Sequence, residues 1–241
     1  MAKECLAIPT EILVQENILP AKRKNKALYI PLSTIGGVET IYNLTAQYGE
    51  YRDREGEQPV EKDPNFQQLI MYAFVLRDRS FLAYQRGSHK EGNYDESRLE
   101  GKISLGLGGH IERSDLTLED SLYREIDEEA EIWINNEPIN FRHSDPELGP
   151  KIWSMKNYID ITPVGLIKDE RDSVGKVHLG IACRLTTKLK QADIRVKTGR
   201  ESVSYRYLTP KKYQQLVESH KLIPEGWSDI VFRNEILTPI K

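Results

Sequence analysis

Cysteine, long apolar runs and a bias of charge are all scarce in this chain, and each scarcity removes a class of function. There are two cysteines in 241 residues. Cys5 and Cys183 lie far apart and have no metal-ligand spacing, which excludes a disulfide scaffold and leaves two free, buried or half-buried thiols as the expectation. No stretch approaches the 18 or so consecutive apolar residues of a spanning helix. The opening Met1-Ala2-Lys3-Glu4-Cys5 lacks a basic-then-apolar leader profile, so a cytoplasmic protein with no membrane partner is expected. The 34 basic and 37 acidic residues, net −3, are mixed along the chain. That balance argues against a surface for nucleic-acid polymers. No repeat or low-complexity segment stands out, and the order of residues supports no Ser-His-Asp or Cys-His arrangement.

What the chain does have is a concentration of acid. Five of the seven residues from Glu125 to Glu131 are Asp or Glu. On a helix, Glu125, Glu128 and Glu129 share an arc of roughly 100° on one face. Like charges at these spacings cost a few tenths of a kcal/mol per pair, a cost that a bound cation reverses. Mg²⁺ or Mn²⁺ suits all-oxygen ligands, and Mg²⁺ commonly completes its shell with water and substrate phosphate oxygens. The bland alternative is a solvated acidic face.

The flanking residues favour the site. Ile103, Leu105 and Leu107 alternate with Ser104, Gly106 and Gly108, the period of a strand that runs into a turn too tight for side chains. Thr117-Leu118-Glu119-Asp120 reads as a capped helix start, and Leu118, Leu122, Ile126 and Ala130 form its apolar stripe.

The segment Gly108 to Ile132, GGHIERSDLTLEDSLYREIDEEAEI, resembles the Nudix box of the Nudix hydrolases: G, five residues, E, seven residues, then R-E-hydrophobic-x-E-E-x-G-hydrophobic. It departs in two places. Counted from Gly109, the loop acid is Asp115 and eight residues separate it from Arg124, one more than the pattern. The last glycine is Glu131, so the left-handed helix stop is missing and the helix is expected to run on toward Asn135-Asn136.

The resemblance implies an α/β fold, the Nudix-type α/β/α sandwich with a mixed β-sheet. It also implies a Mg²⁺- or Mn²⁺-dependent hydrolase that cleaves the phosphoanhydride bond of a nucleoside diphosphate derivative or related small organic pyrophosphate. Arg124 would orient the cage, while Glu125, Glu128 and Glu129, with the Gly108 carbonyl, would bind metal. Glu125, or a neighbour such as Glu128, would activate water. A homodimer is compatible, since many relatives form one. Two other readings compete: a non-catalytic Nudix-like ligand sensor, and an isopentenyl diphosphate isomerase-like enzyme. The second requires a cysteine early in the core, where this chain has none.

Residues 1–65 read as an N-terminal extension packed on the core, with apolar runs at Ile12–Val14 and Ala27–Leu32. A helix is expected from Gly37 to Tyr51 and a surface loop at Arg52–Glu57. Residues 66–241 read as the Nudix domain. A β-hairpin is expected over Gln68–Arg77 and Phe81–Arg86, strands near Ile139–Phe141, Ile161–Ile167, His178–Leu185 and Val203–Leu208, and helices at Pro210–Ser219 and Trp227–Leu237.

Weaker site candidates are Arg86, His89 and Lys90 for a substrate phosphate, and His110, which is as readily a hydrogen-bonded structural group. Glu201 could add a metal-binding or basic carboxylate. Tyr94, Trp133, Trp153 and Trp227 could stack on a base. Substrate choice is expected in the variable loops Gly87–Glu100 and Asp145–Lys151 and in the extension.

Overall fold

The computed structural model describes residues 4–21, 26–55, 57–87, 99–139, 155–199 and 202–237. The chain divides into two units. One holds residues 1–72, 108–122 and 163–183; the other holds residues 73–107, 123–162 and 184–241. Residues 1–65, the expected extension, fall wholly in the first.

In the first unit, β1 (Glu4–Pro9) pairs antiparallel with β3 (Glu50–Asp53), Cys5 facing Arg52. It also pairs with the start of β4 (Phe66–Arg77), Ala7 facing Gln68. The expected surface loop therefore begins inside a strand, because Arg52 and Asp53 belong to β3. Cys5, Ala7, Val60 and Phe66 pack together at this junction. Strand β2 (Ala27–Pro31) pairs antiparallel with the end of β10 (Ile159–Asp169). Helix α1 is Thr10–Gln15, and α2 is Val38–Tyr48, which buries Ile41 and Leu44.

The second unit is built on the expected hairpin. Strand β4 returns as β5 (Ser80–Arg86) through Asp78, whose φ of +51° suits a short polar side chain in a tight turn. Strand β5 pairs with β13 (Ser202–Leu208) and with β6 (Ile103–Ser104), and β7 (Gly106–Leu107) pairs with β4. Helix α4 (Pro210–Glu218) starts with proline after an N-cap at Thr209. Helix α5 (Gly226–Val231) passes into a π-turn at Phe232–Ile236, so the expected Trp227–Leu237 helix is regular only in its first half. Phe81, Tyr213 and Phe232 form the aromatic centre of this core, with Phe81 and Tyr213 edge to face at 5.3 Å.

Helix α3 (Leu118–Glu129) begins in the first unit and ends in the second. Its start is as expected, with the Asp120 N–H donating to Thr117 Oγ1 at 3.1 Å. Its end is not. The expected run toward Asn135-Asn136 is replaced by β8 (Ala130–Ile134), which pairs with β12 (Ala192–Val196), Ala130 facing Val196. Ala130 and Ile132 are buried in that pairing. Asn135 and Asn136 do take left-handed conformations, at φ +51° and +68°, but as the turn between β8 and β9 (Glu137–Pro138). Of the expected strand at Ile139–Phe141, all but Ile139 lies outside the described residues. The mixed α/β class follows as expected.

Candidate metal sites

Fully buried Leu122 and Ile126 fix the rotation of α3, which leaves Glu128 exposed and Arg124, Glu125 and Glu129 partly buried. Arg124 Nη1 donates to Glu125 Oε1 at 2.7 Å and lies 3.5 Å from Glu128 Oε1. The Glu125 side chain is 14% exposed and that of Glu128 58%, so the pair runs from a largely buried carboxylate to solvent. Lys197, just past β12, closes the helix. Its N–H donates to the Glu129 carbonyl at 2.8 Å, and its Nζ donates to the Asp127 carbonyl. The ammonium on the Asp127 carbonyl and the backbone N–H on the Glu129 carbonyl together satisfy two terminal acceptors of the helix, where the pattern has a glycine stop at position 131.

Tyr84 is buried in the same unit, and its hydroxyl donates to the Gly106 carbonyl at 2.9 Å. Burial holds that hydroxyl well above its ordinary pKa; Arg86 opposes the shift, and the charges of Glu129 and Glu225 add to it. Arg86 Nε donates to Glu225 Oε2 at 3.3 Å, and Glu225 Oε1 accepts from Ser104 Oγ at 2.7 Å and Ser228 Oγ at 3.2 Å. Arg86 thus serves a buried carboxylate, a partner that the sequence did not reveal. Trp133 is covered by Arg195, 4.1 Å from its ring centroid, and donates to Glu131.

Gly108, in the first unit, has φ +139°. A Cβ there would stand 2.0 Å from the Met71 carbonyl oxygen, so the glycine is required by backbone contact. Asp115 Oδ2 accepts from the Glu112 N–H at 2.8 Å, which folds the enlarged loop onto itself.

His110 forms an isolated bridge to Ile70, and its ring turns to other side chains: Nε2 lies 3.0 Å from Gln68 Oε1 and 3.1 Å from His178 Nε2. His178 opens β11 (His178–Thr187). The turn before it is fixed by Gly175, where a Cβ would stand 1.6 Å from the Asp169 carbonyl oxygen. It is also held by buried Lys168, whose Nζ donates to the carbonyls of Gly175, Lys176 and His178. Burial lowers the His178 pKa, with Glu61 opposing the shift.

Among the described residues, Glu61, His110 and His178 form the one group of three or more His, Cys, Asp or Glu ligand atoms that all lie within 4.8 Å of one another. The three box carboxylates are not gathered that tightly. Glu61 and His178 were not singled out in the sequence. The two histidines are 68 positions apart, a separation that carries no local signal. His89, Lys90, Tyr94, Trp153 and Glu201 lie outside the described residues.

No family model matches the chain. Protein YmaB of Bacillus subtilis (strain 168) is 29% identical over 193 residues, which cover 80% of this chain and 81% of that protein. The crystal structure of Tm1382, described as a candidate Nudix hydrolase, superposes with a TM-score of 0.65 at 19% identity over 98% of this chain and 99% of that one. The MutT NUDIX hydrolase of Burkholderia pseudomallei is more distant, with a TM-score of 0.43 at 12% identity over 70% of this chain and 98% of that one. At these identities the likeness establishes architecture, and the chain is a Nudix-fold protein whose box resembles that of the Nudix hydrolases.

Proposed function

We propose that the chain is a Mg²⁺- or Mn²⁺-dependent hydrolase that cleaves the phosphoanhydride bond of a nucleoside diphosphate derivative or a related small organic pyrophosphate. The observation that carries this reading is the acid-rich end of α3, where Arg124 is held 2.7 Å from Glu125 and within reach of Glu128 on a Nudix fold. The residues suit such an ion in their chemistry. Glu125, Glu128 and Glu129 offer hard oxygen donors, and Arg124 already places positive charge against two of them.

Glu128 and Glu129 are assigned to hold the metal. Glu125 is assigned to accept the proton of the attacking water, oriented by Arg124 as a third group orients a base. Such a base is worth about 10² to 10⁴ in rate. When bound, the ion lowers the pKa of a coordinated water and neutralises charge on the phosphate oxygens.

The cysteines speak against the isomerase-like reading. Cys5 and Cys183 are both fully buried; burial pushes the Cys5 thiol up to about 12 and the Cys183 thiol higher still. Neither is placed to deliver a proton to a substrate. Among the described residues no helix is long and apolar enough to cross a membrane.

The test is a panel of nucleotide sugars, dinucleoside polyphosphates, ADP-ribose and nucleoside triphosphates with Mg²⁺, with products identified by mass. Release of a monophosphate or phosphate supports the hydrolase. Binding without turnover across the panel supports a ligand sensor instead.

A further inference from the structure

We propose that Glu61, His110 and His178 form a second metal site, specific for a borderline divalent transition ion of the Zn²⁺ or Co²⁺ type and independent of the box glutamates. All three residues belong to the first unit. Glu61 sits in the turn Val60–Lys62 ahead of β4, His110 follows the glycine turn, and His178 opens β11.

Geometry supports the assignment. The two Nε2 atoms are 3.1 Å apart, Glu61 Oε1 is 3.8 Å from His110 Nε2, and Glu61 Oε2 is 3.7 Å from His178 Nε2. Zinc at its usual bond lengths of about 2.0–2.1 Å sets tetrahedral ligand atoms about 3.3–3.4 Å apart. The nitrogen pair lies slightly inside that spacing, each imidazole has a different Glu61 oxygen slightly outside it, and one ligand atom from each residue can be chosen with all three within 4.8 Å. Two imidazoles and one carboxylate select a borderline ion over Mg²⁺.

The surroundings are those of a built site. His178 Nδ1 lies 2.7 Å from the Val174 carbonyl and donates its proton there, which leaves the Nε2 lone pair facing the centre. Arg54 Nε donates to Glu61 Oε1 at 2.8 Å and fixes the carboxylate. The side chains are 13% exposed at Glu61, 17% at His110 and 4% at His178, so bulk water has little access.

The centre is also rich in acceptors. His178 Nε2, Gln68 Oε1 and the Glu61 carboxylate all face His110 Nε2, which brings at most one proton. Gln68 completes this arrangement at a cost, since its Nε2 is buried without a hydrogen-bond partner while its oxygen points inward and accepts from Cys5 Sγ at 3.2 Å. A cation in place of the single proton satisfies this convergence, with Gln68 Oε1 as the adjacent fourth ligand atom. Its consequence is structural: one ion clips the turn before β4, the segment after Gly108 and the start of β11.

The experiment is Co²⁺ titration of metal-stripped full-length protein, followed by visible absorption, calorimetry and X-ray absorption, with thermal unfolding in parallel. The wild type is expected to bind one Co²⁺ tightly with imidazole nitrogens in its shell, to release it to Zn²⁺, and to melt at a higher temperature when loaded. Glu61→Gln and His110→Gln should weaken Co²⁺ binding by more than the roughly 10–100-fold that even outer-shell changes cost a metal site, while Glu128→Gln leaves it unchanged. The wild-type shell itself decides the matter if a variant fails to fold. A shell without imidazole, no tight Co²⁺ binding, or binding lost in Glu128→Gln but kept in Glu61→Gln overturns the proposal.

Discussion

The acid-rich face of α3 and the Glu61–His110–His178 cluster are opposite solutions to placing ligands. In the first, the three glutamates fall within five consecutive residues, their exposure rises from 14% at Glu125 to 58% at Glu128, and Arg124 balances the charge. In the second, the ligands come from three distant segments, are mostly buried, and are positioned by a bridge, a lysine-capped turn and backbone carbonyls. A helical site is written in local spacing and can be read from it; a site assembled by strand pairing cannot.

The largest effect that would break this comparison is on turnover. Glu129→Gln is expected to lower Mg²⁺-dependent hydrolysis by at least about 10²-fold with circular dichroism and melting temperature unchanged. A near-normal rate on a confirmed substrate would remove the helix face from the chemistry.

Gly108→Ala comes next and acts on stability. The φ of +139° and the 2.0 Å approach to the Met71 oxygen should make it cost at least the roughly 1–3 kcal/mol typical of a disallowed backbone, read by denaturant unfolding. An unchanged midpoint would show that the turn relaxes freely.

Arg86→Gln separates a structural from a substrate role. Removing one partner of a buried ion pair costs about 3–5 kcal/mol, and with Arg86 25% exposed a loss of about 2 kcal/mol is expected, with KM unchanged. A raised KM with intact stability would instead return Arg86 to the substrate. Smallest is Lys197→Met, which uncaps α3 and should cost about 0.3–1 kcal/mol by thermal unfolding.

The sequence was most readable where structure is local. The hairpin through Asp78, the Thr117 cap and the stripe of Leu118, Leu122 and Ile126 follow from period and turn chemistry, and the structure keeps all three. It failed where distant segments decide. Local spacing carries the helix past Glu131, yet Ala130 to Ile134 is drawn into a ladder with β12, more than 50 positions later in the chain, and Lys197 supplies the cap. Arg52 reads locally as loop because its partner in β1 lies 47 positions earlier, Arg52 facing Cys5. The place of His110 beside the glycines is local and legible, but its neighbours Gln68 and His178 reach it through strand pairing.

The most direct test of the helix face as the catalytic metal site is electron paramagnetic resonance of Mn²⁺ with inorganic pyrophosphate added. The bound-Mn²⁺ signal should persist in Glu61→Gln and disappear in the Glu128→Gln, Glu129→Gln double variant. A signal that survives the double variant and vanishes in Glu61→Gln would contradict the account.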